Sequence, residues 1–161
     1  MKAYRTAKAY RGLNIACFAG LAVVIMLTKP AVASENRASV VALGILFWLL
    51  LILGIVMGLS AAKTVRREME RRGRGQQWTS IRIGLTSFFQ SREGLICDIL
   101  LILCVVGIVT LRFTMLKYRF ISYALLGAFP LLLDLHCYFN GRTFCYIETI
   151  REERLGRHEK H

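Results

Sequence analysis

The sequence predicts an all-α, polytopic membrane protein, a four-transmembrane-helix bundle with an interfacial amphipathic helix in its middle loop. Of its 161 residues 55% are hydrophobic, and the mean hydropathy is +0.48, whereas a soluble domain is roughly 45–50% apolar. The apolar residues fall into four blocks, each close to the roughly 20 residues that cross a bilayer. The segments between the blocks hold nearly all the charge. We therefore expect residues 1–161 to form a single membrane domain.

The first span is predicted over about 12–28, after a basic start that contains Lys2, Arg5, Lys8 and Arg11. The same region has the layout of a secretory signal peptide, because the small-residue sequence Ala31-Val32-Ala33 follows the apolar run. We expect the span to be retained, since a second apolar segment follows within a few residues. Cleavage stays open as the alternative.

The second span, about 39–62, is the longest and carries no charge. Beyond it, oppositely charged residues recur four positions apart, as a solvated helix favours; these are Arg66 with Glu70, Glu68 with Arg72 and Glu70 with Arg74. The helix is therefore expected to continue into water. Gly73-Arg74-Gly75 supplies a stop signal.

The second half of the middle loop 63–93 has its aromatic residues at helical spacing. Trp78, Phe88 and Phe89 fall on one face of a helix over 76–91, with polar residues elsewhere on the wheel. The pattern predicts an amphipathic helix in the cytoplasmic headgroup layer, anchored by these three rings. An ordinary helix packed against the bundle is the alternative.

The third and fourth spans are predicted over about 94–111 and 120–139. Only 112–119 separates them, so the two helices should form a tight antiparallel hairpin. Asn140-Gly141 is a turn signal that ends the fourth span. The tail 140–161 is polar.

The distribution of basic residues predicts the orientation. The leader, the middle loop and the tail carry 17 of the 22 Lys and Arg residues, and loops rich in positive charge stay in the cytoplasm. Both termini and the middle loop are therefore expected on the cytoplasmic side of the cell membrane.

The formal net charge of +12 fits an anionic lipid surface. We expect anionic lipid to contact the basic residues that follow the second span, which are Lys63, Arg66, Arg67, Arg71, Arg72 and Arg74. The loops lack the interleaved aromatic platforms of single-strand binders. Nucleic acid is therefore not expected as a partner.

No motif for a common catalytic or cofactor site is present. The five cysteines include no C-x-x-C pair and lack the spacing of a disulfide framework or a zinc site. The sequence has no nucleophile elbow, phosphate-binding glycine loop or HExxH motif. We expect no cofactor, no metal ion and no catalytic residue.

Asp98, Asp134 and His136 form the candidate intramembrane polar site. The chain has only these two aspartates, and both fall inside predicted spans, where an aspartate costs about 2.5–3.5 kcal/mol at mid-bilayer. They lie almost equally far from the hairpin turn and should share one depth, toward the cytoplasm. The functional interpretation is a pocket for a proton or a cation. The structural interpretation, which we favour, is hydrogen bonding between helices or to nearby arginines such as Arg92 and Arg142.

Small residues repeat every four positions in the first two spans. These are Gly12, Ala16 and Gly20 in the first span, and Gly54, Gly58 and Ala62 in the second. Such faces let helix backbones approach closely. Packing of these two helices against each other is the simpler account, and a free face would serve an oligomer or a partner.

These features favour a non-enzymatic accessory, regulatory or immunity-type membrane protein, which acts through helix packing and a basic cytoplasmic surface. A protein partner or a homo-oligomer is expected. The alternative is a small oligomeric transporter or channel for ions, protons or small molecules that uses Asp98 and Asp134. A lipid-modifying enzyme with the same carboxylates is a third class, with less support.

Overall fold

The computed structural model describes residues 2–73, 86–113 and 119–147. This part of the chain contains no strand and four long helices. They are α1 (Lys2–Ala33), α2 (Arg37–Arg71), α3 (Arg92–Phe113) and α4 (Arg119–Phe139). A short helical segment follows over 142–147. The all-α prediction is confirmed for these residues.

Each long helix is long and apolar enough to cross a membrane. The candidate spans are Ala3–Ala33, Arg37–Arg71, Arg92–Leu111 and Ile121–Phe139. The predicted number of spans is confirmed, and the chain has the helices of a multi-pass membrane protein. α1 and α2 extend beyond their apolar blocks because the helix continues through neighbouring charged residues.

Local signals define both ends of α2. The Asn36 side chain caps its start by accepting a hydrogen bond from the backbone N–H of Ser39 at 3.2 Å. At the other end Gly73 adopts φ +70°, a left-handed conformation that glycine enters without strain. Two charge pairs predicted on the last turns are present, Arg66–Glu70 at 2.8 Å and Arg72–Glu68 at 3.0 Å.

The main contacts between the described helices follow the order α2, α1, α4, α3. α1 packs on both α2 and α4, and α4 packs on both α1 and α3. α1 and α4 approach closely at Gly127, where a Cβ atom would lie 2.9 Å from the Ala22 carbonyl oxygen. A helix with the layout of a signal peptide therefore occupies an inner position.

The outer faces of the helices are apolar and exposed. Trp48 and Leu59 on α2 are 62% and 66% exposed, and α3 exposes a comparable series of leucine, isoleucine and valine residues. In water such a surface would carry a large hydrophobic cost. A lipid environment removes that cost, because hydrocarbon tails are as apolar as these side chains.

Small residues of α2 contact α1 as predicted, whereas two of the three predicted on α1 do not contact α2. A Cβ at Gly54 would lie 3.0 Å from the Phe18 ring, and one at Gly58 3.1 Å from Asn14 Nδ2. Gly20 also lies at this contact, near Leu50, and Ala62 is half-buried.

Gly12 and Ala16 are exposed, and a Cβ at Gly12 would meet nothing within 4 Å. Gly12 and Ala16 therefore lie on a face of α1 that is turned away from α2, and packing of this face against a second copy or a partner stays a prediction. The buried face of α1 carries Asn14, Cys17 and Leu21 instead. The bonds of Asn14 to α2 and α4 fix the rotation of α1 and turn Gly12 away.

The segment before α3 departs from the predicted amphipathic helix. Trp78 lies outside the described residues, and 87–91 are not helical. Phe89 has φ +58°, an uncommon value for a residue with a side chain. The backbone N–H groups of Phe89 and Gln90 donate to side chains of the bundle. A tertiary contact therefore takes the place of helical hydrogen bonds here.

Candidate functional site

The Asp98 cluster consists of Asp98 on α3, His136 near the end of α4, and Asn140 just after it. These three side chains are almost completely buried, at 0%, 1% and 2% exposure. His136 and Asn140 lie four residues apart, which places them one above the other on the face of α4 that meets α3. The cluster therefore joins α3 to α4 at the ends of these helices that are predicted to face the cytoplasm.

The Asp98 carboxylate accepts three hydrogen bonds. Nδ1 of His136 lies 2.5 Å from Oδ1, and Nδ2 of Asn140 donates to the same oxygen at 2.9 Å. The backbone N–H of Phe89 donates to Oδ2 at 2.7 Å. A buried carboxylate with this many donors is well satisfied, which offsets much of the cost of removing it from water.

His136 has one ring nitrogen bonded and one without a partner. Because Nδ1 faces a carboxylate oxygen, the neutral ring carries its proton there and Nε2 holds a lone pair. Among the described residues nothing hydrogen-bonds to the buried Nε2. The Phe88 ring lies over the imidazole with 4.5 Å between centroids. The Phe88 ring therefore covers one face of the imidazole and gives Nε2 no hydrogen-bond partner.

The docked segment, 87–91, is attached to the bundle at several points. The N–H of Gln90 donates to Asn140 Oδ1 at 3.0 Å, and Ser91 Oγ donates to the Phe139 carbonyl at 3.2 Å. Gly94 allows this approach, because a Cβ there would lie 2.6 Å from Asn140 Oδ1. The cluster therefore holds the end of the middle loop as well as joining α3 to α4.

The Arg11 cluster, formed by Arg11 and Asn14 of α1 with Asp134 and Tyr138 of α4, lies on the opposite side of α4. Arg11 Nη1 pairs with Asp134 Oδ2 at 2.8 Å, a contact without hydrogen-bond alignment. The guanidinium also stacks over the Tyr138 ring, with 4.0 Å from Cζ to the centroid. The charge of Arg11 is thus neutralised between two helices.

Asn14 links three helices. Its Nδ2 donates to the Gly54 carbonyl of α2 at 2.9 Å and to Asp134 Oδ1 of α4 at 3.3 Å. Its Oδ1 accepts a hydrogen bond from Arg11. The side chain is 1% exposed and uses both its donor and its acceptor atoms.

The predicted pocket of Asp98, Asp134 and His136 is divided between these two clusters. Asp98 and His136 bond to each other, whereas Asp134 faces α1 and bonds to Arg11. Residues two apart on a helix point in different directions, which explains why Asp134 and His136 have different partners. Arg92, one of the arginines considered as a partner for an aspartate, is exposed.

Four residues of these clusters were not singled out from the sequence as site residues: Arg11, Asn14, Tyr138 and Asn140. The sequence indicates Arg11 only as one of the basic residues before the first span, and Asn140 only as part of a turn signal. Asn14 offered a usable signal, because it is a polar amide inside an otherwise apolar span, and buried polar groups need partners.

The residues predicted to contact lipid occupy the solvated end of α2. Arg66, Arg67 and Lys63 are exposed there, and so are Arg71 and Arg72; Arg74 lies outside the described residues. Lys63, Arg67 and Arg71 are spaced four apart and form one stripe. Phe88 and Phe89, predicted as interfacial anchors, are 44% and 54% exposed.

The cysteines pack as small apolar residues where they lie deepest. Cys17, Cys97 and Cys104 are buried, Cys137 is half-buried and Cys145 is exposed, and none of the five forms a disulfide. Within the described ranges, no group of three His, Cys, Asp or Glu side chains is placed to hold a metal ion.

The comparisons leave both clusters without a precedent from which to take a role. Searches against protein-family models, curated proteins and solved structures gave no match.

Proposed function

We propose that this chain is a non-enzymatic accessory, regulatory or immunity-type protein of the cell membrane. It acts through helix packing and a basic cytoplasmic surface. Its termini and middle loop lie in the cytoplasm, as the 17-to-5 division of basic residues favours.

One observation carries the proposal: both aspartates are committed to partners inside the bundle. Asp134 pairs with Arg11 and joins α4 to α1, while Asp98 bonds to His136 and joins α3 to α4. Polar side chains used in this way hold membrane helices together. These partners inside the bundle favour a structural role for both carboxylates over a role in transport.

The surface offered to a partner is the basic stripe, which we define as Lys63, Arg67 and Arg71. Arg66 and Arg72 have acidic partners at i,i+4. The three stripe residues form no ion pair with another described residue. Their charge is therefore available to an anionic lipid or an acidic protein surface.

The decisive experiment is chemical cross-linking in native membranes, followed by purification in a mild detergent. We expect a complex of fixed stoichiometry with one membrane or cytoplasmic protein. Replacing the basic stripe by glutamine should reduce its yield severalfold.

The matched control replaces Lys29 and Arg37, basic residues in the predicted external loop. The complex should survive this change. Repeated isolation of a lone monomer, or equal loss of the complex in both variants, would refute the proposal.

The second candidate is a small oligomeric transporter or channel. It is favoured by His136, whose buried Nε2 has no hydrogen-bond partner among the described residues and is therefore open to a ligand. The test compares proton or ion flux into proteoliposomes for the wild type and the Asp98→Asn, Asp134→Asn double variant. Equal flux from both removes this candidate.

A further inference from the structure

We propose that two copies of this chain pair through the outer stripe of α2, so that Trp48 of each copy packs against Gly44 of the other. The outer stripe consists of exposed residues, three or four positions apart, on a side of α2 that faces away from α1: Val41, Gly44, Trp48, Ile52, Ile55 and Leu59. This inference goes beyond the proposed function, which uses the basic stripe at the solvated end of the same helix.

Trp48 is exposed at a depth where tryptophan is uncommon. It is 62% exposed and lies near the middle of the uncharged block 39–62, whereas tryptophan concentrates at the two membrane boundaries. Its ring meets that of Phe47 edge-on, with 5.6 Å between centroids, and its indole N–H has no hydrogen-bond partner among the described residues. Hydrocarbon offers no acceptor for this group, so an acceptor from a neighbouring helix would stabilise it.

Gly44 leaves an open notch one turn before Trp48. A Cβ atom at Gly44 would meet nothing within 4 Å, so the Trp48 ring of the same chain does not fill this space. A helix that approaches the notch reaches the backbone directly, and each helical carbonyl oxygen has a second lone pair beside its intrahelical bond. The notch therefore offers both room for an aromatic ring and an acceptor for its N–H.

The direction of helical side chains matches these two features across a two-fold axis. Side chains lean toward the N-terminus of their helix, so the Trp48 ring reaches back toward the level of Gly44. Copies that insert with the same orientation have parallel α2 helices at equal depth. Each Trp48 then meets Gly44 of the other copy, and the contact is made twice. This self-complementarity favours a second copy as the occupant of the outer stripe.

The outer face of α3 provides a comparison within the same chain. Its most exposed residues are aliphatic, such as Ile96, Leu103 and Val106, and the α3 sequence contains no tryptophan. Aliphatic side chains need no partner other than hydrocarbon. α2 differs because it combines a donor that lacks an acceptor with an open notch one turn away, so the pairing does not rest on exposure alone.

The test measures dimerisation of the full-length protein in liposomes. A fluorophore is attached at Cys145, which is exposed, and single-molecule photobleaching counts the copies in each vesicle at a series of protein-to-lipid ratios. We expect a transition from single copies to pairs as the ratio rises. Gly44→Leu should weaken the dimer about tenfold or more, because leucine fills the notch that a central ring of the interface occupies.

Two controls match the substitutions on α2. Gly12→Leu introduces the same side chain at a glycine of α1 whose Cβ would also meet nothing within 4 Å, and it should leave the dimer unchanged. Trp48→Ala should weaken the dimer, whereas Leu103→Ala, at a similarly exposed position of α3, should not.

Fluorescence quenching shows whether the Trp48 ring itself becomes covered. Trp78→Phe leaves Trp48 as the only tryptophan in the sequence, and lipids brominated in the middle of their acyl chains quench its fluorescence on contact. Quenching should fall severalfold as the protein-to-lipid ratio rises, because the second copy shields the ring from lipid.

The pairing is refuted by single copies at every ratio, or by Gly44→Leu dimerising as well as the wild type. Loss of the dimer in Gly12→Leu alone, or a dimer in which Trp48 stays fully quenched, would place the interface on another face and also refute it. Should Gly44→Leu not fold, Trp48→Ala and the quenching measurement decide. The liposomes contain no other protein and every variant keeps the basic stripe, so this result is separate from the cross-linking test of the proposed function.

Discussion

Arg11 and Asp134 lie 123 positions apart in the sequence, and their charged groups meet at 2.8 Å between Nη1 and Oδ2. This pair joins α1 to α4 and places opposite charges where each alone would be costly. Its two side chains are 9% and 15% exposed, so water screens the pair only weakly.

Asp134→Asn should destabilise the bundle by roughly 1–3 kcal/mol, because it leaves the Arg11 charge without a counterion. Adding Arg11→Gln should recover part of the loss, giving a coupling free energy of about 1 kcal/mol or more. The measurement is the free energy of unfolding in a titration with denaturing detergent.

The control for this pair is Glu70→Gln. It breaks the exposed Arg66–Glu70 pair and should cost at most about 0.5 kcal/mol. Additive effects of the Arg11 and Asp134 substitutions would show that the ion pair contributes nothing to stability.

Gly94→Ala should destabilise the Asp98 cluster, whereas Gly12→Ala should not. A Cβ at position 94 would lie 2.6 Å from Asn140 Oδ1 and 2.9 Å from Ser91 Oγ, while one at position 12 meets nothing within 4 Å. The first change forces Asn140 away from Asp98. The second gains about 0.5–1 kcal/mol of helix stability.

Thermal unfolding of both variants in detergent measures the difference. We expect a lower midpoint for Gly94→Ala and an equal or higher one for Gly12→Ala. Equal midpoints would show that the backbone at position 94 can move away from Asn140 at no cost.

The four helices were predictable because their signal is strong and local. An uncharged apolar block long enough to cross a bilayer has few other uses, and the structure shows four such helices. Helix lengths were less accurate. α1 begins at Lys2, since charged residues of the leader also adopt helix.

The two clusters were only partly predictable. The scarcity of aspartate identified Asp98 and Asp134 as candidates, and their similar distance from the hairpin turn predicts a common depth. Which helix each aspartate would face depends on the rotation of every neighbouring helix. No local pattern contains that information, so the pairing of Asp134 with Arg11 came only from the structure.

The docked segment shows where local periodicity misleads. Phe88 and Phe89 fit an amphipathic helical pattern with Trp78. Their backbone instead departs from helix where buried acceptors, the Asp98 carboxylate and the Asn140 amide oxygen, take the N–H groups of Phe89 and Gln90. A prediction from the spacing of neighbouring residues does not include such acceptors, because they come from other parts of the chain.

Thiol labelling in intact cells should report the orientation. Cys145, exposed after α4, should resist a membrane-impermeant reagent until the cells are permeabilised. A cysteine placed at Ser34, exposed between α1 and α2, should react at once. The physical reason is that basic segments remain on the cytoplasmic side.

Cys145→Ser removes the reporting thiol and is the control for the first measurement. Labelling of Cys145 before permeabilisation would invert the topology. It would also place the basic stripe outside the cell.

The basic stripe should recruit anionic lipid. Each well-placed Lys or Arg near such a surface contributes about 1 kcal/mol, so replacing Lys63, Arg67 and Arg71 by glutamine should lower the bound anionic lipid severalfold. Native mass spectrometry after purification from mixed vesicles counts these lipids.

Glutamine at Lys29 and Arg37 tests whether any loss of positive charge has the same effect. This control should leave the count of anionic lipids unchanged. An equal drop in both variants would show that lipid responds to net charge rather than to the stripe.

The inner position of α1 has a consequence for biosynthesis. α1 leaves the ribosome before α4, and Asp134, which neutralises its Arg11, is made 123 residues after that arginine. Until α4 enters the membrane, Arg11 must keep its guanidinium among lipid headgroups, and the Asn14 amide has only α2 to bind. Synthesis stopped before α4 therefore leaves a hairpin of two helices with an unmatched charge, a species that membrane quality-control proteases can distinguish from the finished protein.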